Sequence, residues 1–313
     1  MKKAKKNISV LLFLFLGLLC SLDLIAQQES QYTQYIYNTM SINPAYTGGR
    51  GRLSMMALYR NQWVGLEGAP QTLNISGHSP LGSEARVGVG AEFSNDKIGP
   101  ATTNVVAGNF SYVIPFANGF HWSFGVKAGV TNLDLDPNKL NIYDQNNLDL
   151  NVNDRMMPTL GIGTYFYGKK WYVGVSSPNL LETKHYDDVK VSTAKEKMHL
   201  YLISGFLIQI SEEFALKPST LIKAVQGSPL AADFSLNSIF YDRFSLGIAY
   251  RTSAAISAMT GFQINDYLMI GYAYDYTTSD LARYNNGSHE IFLRFELGEN
   301  RSASYTRGSG PAF

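Results

Sequence analysis

The chain has 313 residues, with 26 Lys and Arg against 25 Asp and Glu and a single cysteine. A nearly neutral balance with no basic block argues against nucleic acid as a partner. No apolar run beyond the leader reaches the ~18 residues of a spanning helix. Charged residues make up 16% and aromatics 13%, beside 28 glycines, a mixture suited to half-buried strands and tight turns.

The chain opens as a secretory leader. Lys2, Lys3, Lys5 and Lys6 form a basic start, residues 8–19 a short apolar run, and Ala26 a cleavage point. Leu24, larger than the usual small residue three places before a cut, leaves the site open by a few positions. Cys20 lies inside this leader after a poor lipidation signal, so the processed chain is expected to carry no cysteine, no disulfide and no thiolate metal site. Residues 27–50 form an N-terminal segment expected on the periplasmic side. Asn43-Pro44 and Gly48-Gly49 suit a turn into the first strand. Two alternatives stand beside that: a plug inside whatever the strands enclose, or a contact for a partner through Asn43, Pro44 and Tyr46.

Residues 51–297 read as strands. Fourteen are predicted, near 51–59, 71–78, 84–94, 102–114, 119–131, 157–167, 170–177, 197–209, 213–225, 230–240, 243–251, 254–264, 267–277 and 289–297. Most have the ~9–11 residues with which a tilted strand crosses a bilayer. Their side chains alternate with period two, one face large and apolar, the other small or polar. Phe120, Trp122, Phe124 and Val126 oppose His121, Ser123, Gly125 and Lys127; Leu268, Ile270, Tyr272, Tyr274 and Tyr276 oppose Met269, Gly271, Ala273, Asp275 and Thr277. Two strands fit poorly: 197–209 is apolar on both faces, and Pro218 interrupts the next. The links alternate too. Long ones fall at 60–70, 95–101, 132–156, 178–196 and 278–288, and short ones between them, although 226–229 and 252–253 are short on the long side. Tight turns at one end and long loops at the other mark an outer-membrane barrel. The fold class expected is therefore all-β: a transmembrane antiparallel β-barrel of about fourteen strands, with both chain ends on the periplasmic side. A ring that wide needs a lumen or a plug.

Four stretches go beyond generic barrel pattern. Gln31-Tyr-Thr-Gln-Tyr35 leads to Ile42-Asn-Pro-Ala-Tyr-Thr-Gly-Gly49; Arg60-Asn-Gln-Trp63 leads to Gly68-Ala-Pro-Gln-Thr72 and Ser79-Pro-Leu-Gly82; Gly88-Val-Gly-Ala-Glu-Phe-Ser-Asn-Asp-Lys-Ile-Gly-Pro100 follows; and Ser288-His-Glu-Ile291 opens the last strand. In this order and spacing they resemble the PorP/SprF family of outer-membrane proteins of the type IX secretion system. The resemblance implies a non-enzymatic accessory in the outer membrane of a Bacteroidota-type bacterium. Such a protein helps export or anchor large surface proteins, often gliding adhesins, that carry a C-terminal sorting domain. It also implies a periplasmic peptidoglycan-binding lipoprotein as a partner. The chain departs from the family in its polar tail, residues 298–313.

Candidate partner-binding residues are Asn43, Pro44 and Tyr46 in the N-terminal segment, Arg60, Gln62 and Trp63 in the expected first external loop, and the inward Glu92. Trp beside Arg is a usual interface pair, while a rim Trp also anchors a barrel at the headgroups. Glu92, Lys127, Lys217, Lys223, Asp233, Arg251, Asp275, Arg294 and Glu296 are expected to point inward and pair across the lumen or grip a client. Residues 132–154 hold five aspartates; Asp134, Asp136 and Asn138 mimic the start of a calcium loop, but Lys139 and Gln145 break it, so a solvated loop is expected, with no metal or cofactor. The histidines His78, His121, His185, His199 and His289 stand singly, and no nucleophile elbow or phosphate loop occurs. Glycines at 88, 90, 125, 129, 161 and 163 alternate within strands and are read as relief of crowding at bends. The rival functions are a passive porin for small solutes and an outer-membrane lipase.

Overall fold

The computed structural model describes residues 31–117, 119–136, 155–181 and 198–298. Residues 1–30, which include the expected leader, most of the aspartate-rich loop, His185 and the polar tail beyond Gly298 lie outside these. Fifteen antiparallel segments follow one another around a single sheet: β1 Leu53–Asn61, β2 Gln71–Leu81, β3 Val87–Ile98, β4 Ala101–Pro115, β5 His121–Leu135, β6 Arg155–Tyr167, β7 Trp171–Ser177, β8 His199–Phe206, β9 Ile208–Gln209, β10 Phe214–Val225, β11 Ala231–Phe240, β12 Phe244–Arg251, β13 Ala255–Gln263, β14 Leu268–Thr277 and β15 Ser288–Leu297. The first and last strands pair along their length, Leu53 with Leu297 and Asn61 with His289, so the sheet closes. Closure leaves no free edge, and each strand finds its backbone partners within the wall, as hydrocarbon requires.

β8 and β9 are two parts of one stave. Both pair with β10 in one register, Gly205 opposite Ser219 and Ile208 opposite Leu216. The lapse between them falls where Phe206 would face Pro218, a residue with no N–H to donate. The barrel thus has the fourteen staves predicted.

The faces divide as the alternation requires. Phe124 is 41% exposed and Ile248 64%, whereas Ser123, Lys127, Ser245 and Arg251 are buried. Large apolar side chains cover the outside and polar ones line the inside, the arrangement of a wall set in lipid.

Two expectations are corrected. Residues 95–101 are not a long loop: β3 and β4 run on to a two-residue turn at Gly99 and Pro100, and β4 and β5 reach 15 residues each. That exceeds the ~9–11 residues that cross a bilayer. The excess is polar on both faces, with Thr72 bonded to Asp96 and Asn95 to Asn104. A sheet wetted on both sides loses the alternation that marks a strand, which is why it reads as loop. The second correction concerns Arg60. It belongs to β1 and points inward, paired in register with Glu290 of β15 and Thr72 of β2.

The segment ahead of β1 fills the interior. It carries a single helical turn, α1 (Thr39–Ile42), and a 3-10 turn over Pro44–Tyr46. Asn43 caps the latter through its side chain to Ala45 N, and Pro44 supplies a φ already suited to a first helical position. Tyr35, Ile36, Met40, Ile42, Ala45 and Tyr46 pack against Tyr165, Tyr172, Tyr201, Ile203 and Leu221 of the wall. This explains the strand with two apolar faces: Tyr201 and Ile203 on β8 meet lipid on neither side, because the segment covers them. β1 starts and β15 ends at the turn end, as an even count demands. The segment, however, is tied near the loop end, where Thr33 and Gln34 meet Glu290 and Thr33 meets Arg60, and near the turn end, where Arg50 meets Glu296.

Candidate functional site

The site is the interior between the segment and the wall, and its geometry runs from loop end to turn end. Near the loops, the Glu290 carboxylate accepts the backbone N–H groups of Thr33 (2.9 Å) and Gln34 (2.8 Å). The Thr33 hydroxyl donates to Asp275 at 2.7 Å. Arg60 donates to Asp275 at 2.6 Å and to Glu290 at 3.1 Å. All three ionic side chains are buried. Two carboxylates face one guanidinium, so the amides and hydroxyl of the segment satisfy oxygens that would otherwise lack donors.

Lower down, Tyr35 and Tyr37 reach Ser235 and Ser245 through their hydroxyls, each at 3.1 Å. The far wall then grips the backbone. Lys127, itself ion-paired with Glu92, donates to Ser41 O; Ser176 donates to Ile42 O (2.8 Å), Ser123 to Ala45 O (2.6 Å) and Ser111 to Thr47 O (2.6 Å). Asn43 donates to Thr164 O at 3.0 Å. The wall glycines make this approach possible. A Cβ on Gly125 would overlap Ala45 N and the Pro44 carbonyl carbon, one on Gly163 the Asn43 side chain, and one on Gly88 the Thr47 carbonyl. Their earlier reading as bend relief is corrected for these positions: they are there because another backbone passes within contact. At the turn end, Gly48 N donates to His78 Nδ1, and Arg50, Arg52 and Arg294 surround Glu296 at 2.5, 2.5 and 3.5 Å.

The predicted inward charges all lie inside. Asp233 pairs with Arg251 at 2.6 Å, while Lys217 and Lys223 sit over the rings of Tyr172 and Tyr201 at 5.6 and 5.9 Å. Of the candidate partner-binding residues, Asn43, Pro44, Tyr46, Arg60 and Glu92 are buried against internal partners. Only Gln62 and Trp63 reach the surface. They lie in loop 62–70, where Trp63 N donates to Ser288 Oγ and adopts φ +46°. Backbone bonds between Val64 and residues 286–287 tie this loop to the one ahead of β15. Sequence reasoning did not find the grip of Thr33 and Gln34 on Glu290 and Asp275. A signal was present in part: small wall residues facing inward beside an Asn-Pro-Ala-Tyr motif that has nowhere else to pack. Among the described residues no group of three His, Cys, Asp or Glu side chains is placed to hold a metal.

A closed fourteen-stave sheet with an apolar exterior and a polar, occupied interior defines a β-barrel of the outer-membrane type. Within that class the chain belongs to the PorP/SprF family of type IX secretion system membrane proteins, whose family description matches residues 24–295. A search of curated proteins gave no match. Similar solved structures include Omp33 of Acinetobacter baumannii (TM-score 0.47, 10% identity, covering 80% of this chain and 100% of that one). A toluene transporter TbuX of Ralstonia pickettii (0.47, 12%, 84% and 94%) and a FadL homologue of Pseudomonas aeruginosa (0.48, 10%, 83% and 94%) are similar to the same degree. Scores below 0.5 add nothing to the strand pairing already described.

Proposed function

We propose that this protein is a non-enzymatic accessory of type IX secretion that holds a large exported surface protein, such as a gliding adhesin, by its C-terminal sorting domain. In this reading the loop end faces outward and receives the client. The turn end faces the periplasm, where a peptidoglycan-binding lipoprotein couples the barrel to the wall. One observation supports the loop end as the receiving surface. The interior is taken up by residues 31–50, so among the described residues the polar rim around Gln62, Trp63 and Glu67 is a surface left open to a protein partner. The test is purification of the native membrane complex in mild detergent with mass spectrometry. A surface protein with a sorting domain and a wall-binding partner are expected; recovery of neither would reject the reading. The porin alternative is tested by planar-bilayer recording, where a large, steady conductance from the intact protein would favour it.

A further inference from the structure

The charges inside the barrel do not balance evenly along its axis. Among the described residues, the loop end and middle of the lumen hold Arg60, Lys127, Lys223 and Arg251 against Glu92, Asp233, Asp275 and Glu290. The turn end holds Arg50, Arg52, Lys217 and Arg294 against the single carboxylate of Glu296. Charge taken out of water needs a counter-charge close by, and the turn end is short of one. Arg294, on β15, is the group whose bonding is incomplete. Its Nε stands 3.5 Å from Glu296 and, although buried, makes no hydrogen bond. Its Nη2 donates to the Met269 thioether at 3.0 Å, a weak acceptor, and its guanidinium carbon lies 5.7 Å from the centre of the Tyr37 ring. Glu296 is meanwhile engaged by Arg50 and Arg52 at 2.5 Å each.

A cavity lies beside this arginine. Tyr37, Tyr46 and Arg50 of the segment and Ser76, His78 and Arg294 of the wall line it. It has room for about one water-sized particle. Among the described residues no carboxylate lines it, whereas donors converge on it. His78 accepts the Gly48 N–H through Nδ1, which leaves the proton of the neutral ring on Nε2. Ser76 adds a hydroxyl. We propose that this cavity binds a small monovalent inorganic anion, chloride under ordinary conditions, between Arg294 and Arg50, with His78 and Ser76 as further donors. A water molecule could accept the same bonds but would not offset the surplus charge. Phosphate and organic carboxylates exceed the space. Because the lining comes from both the segment and the wall, the ion bridges them, and the seating of the segment depends on it.

The test uses purified full-length barrels unfolded with urea in chloride or in gluconate at one ionic strength, so that general screening is equal. The midpoint is expected to rise with chloride, and with bromide in its place, but not with gluconate. At a hundredfold excess over the dissociation constant the ratio of folded to unfolded protein rises about a hundredfold. Arg294→Gln should abolish the rise, and Arg86→Gln, at an exposed arginine, should keep it. Equal midpoints in chloride and gluconate, or a rise that persists in Arg294→Gln, would overturn the site. The unaltered protein supplies a measurement that needs no variant: crystals grown with bromide should show an anomalous peak between Arg50 and Arg294. Ordered water at that place, with no anomalous signal, would reject the proposal.

Discussion

At the scale of single residues, burial decides which charges matter. Arg60 holds two carboxylates away from water, and removing it leaves both uncompensated. Arg60→Ala is expected to lower barrel stability by about 3–5 kcal/mol, the usual effect of breaking a buried pair from one side. Urea unfolding in lipid vesicles measures this. The Arg86–Glu84 pair, 48% and 68% exposed at its side chains, is the contrast: a surface pair contributes on the order of 0–1 kcal/mol, so Arg86→Gln should leave the midpoint nearly unmoved. Glycines divide the same way. Gly125 faces the Pro44–Ala45 backbone, whereas the atoms nearest a Cβ on the outward Gly108 lie 3.9 Å away. Gly125→Ala should therefore dislodge the segment and expose it to protease in folded barrels, and Gly108→Ala should not. Equal protease resistance of the two variants would show that the segment's seat tolerates the added methyl.

At the scale of elements, strands were legible wherever two different solvents met their faces. Residues 243–251 and 267–277 alternate because lipid touches one side and a polar interior the other, and their bounds in the structure differ by a residue or so from those predicted. Legibility failed where the two faces meet the same medium. The far ends of β3 and β4 are wet on both sides, and β8 is covered by apolar atoms on both sides, so neither carries the period-two signal. The segment 31–50 was ambiguous for another reason. Its turn residues describe its local shape but not its surroundings, and its grip on Glu290, Asp275, Ser123 and Ser111 joins positions far apart in the chain. The consequence of removing it is specific. Without residues 31–49 the rings of Tyr165, Tyr172 and Tyr201 and the side chain of Ile203 face a water-filled lumen, and Glu290 loses two N–H donors. The shortened barrel is expected to be less stable and to pass ions steadily in planar bilayers where the intact protein does not. A silent deletion variant that is correctly folded would mean that something other than the segment closes the barrel.

At the scale of the whole molecule, the three surfaces have different chemistry and hence different capacities for recognition. The outer wall is apolar and matched to lipid. The interior is committed to internal bonds, with Asn43, Tyr46, Arg60 and Glu92 each engaged by a barrel partner. The rim at the loop end is polar, carries a tryptophan, and is held in place by backbone bonds between loop 62–70 and residues 286–287. Recognition of a protein client is therefore expected to depend on the rim and not on the lumenal charges. Trp63 is the residue on which to test it, since its backbone N–H to Ser288 fixes the loop while its side chain is partly exposed. Asparagine accepts the left-handed conformation that Trp63 adopts, so Trp63→Asn removes the indole and keeps the loop. Loss of a central aromatic anchor is worth about 2 kcal/mol, or roughly thirtyfold in affinity. Capture of a purified sorting domain by the barrel should weaken by that order while assembly and stability of the barrel stay unchanged. Undiminished capture by Trp63→Asn would move the client's site away from this loop and toward the extended sheet of β3 to β5, another polar structure among the described residues at the same end.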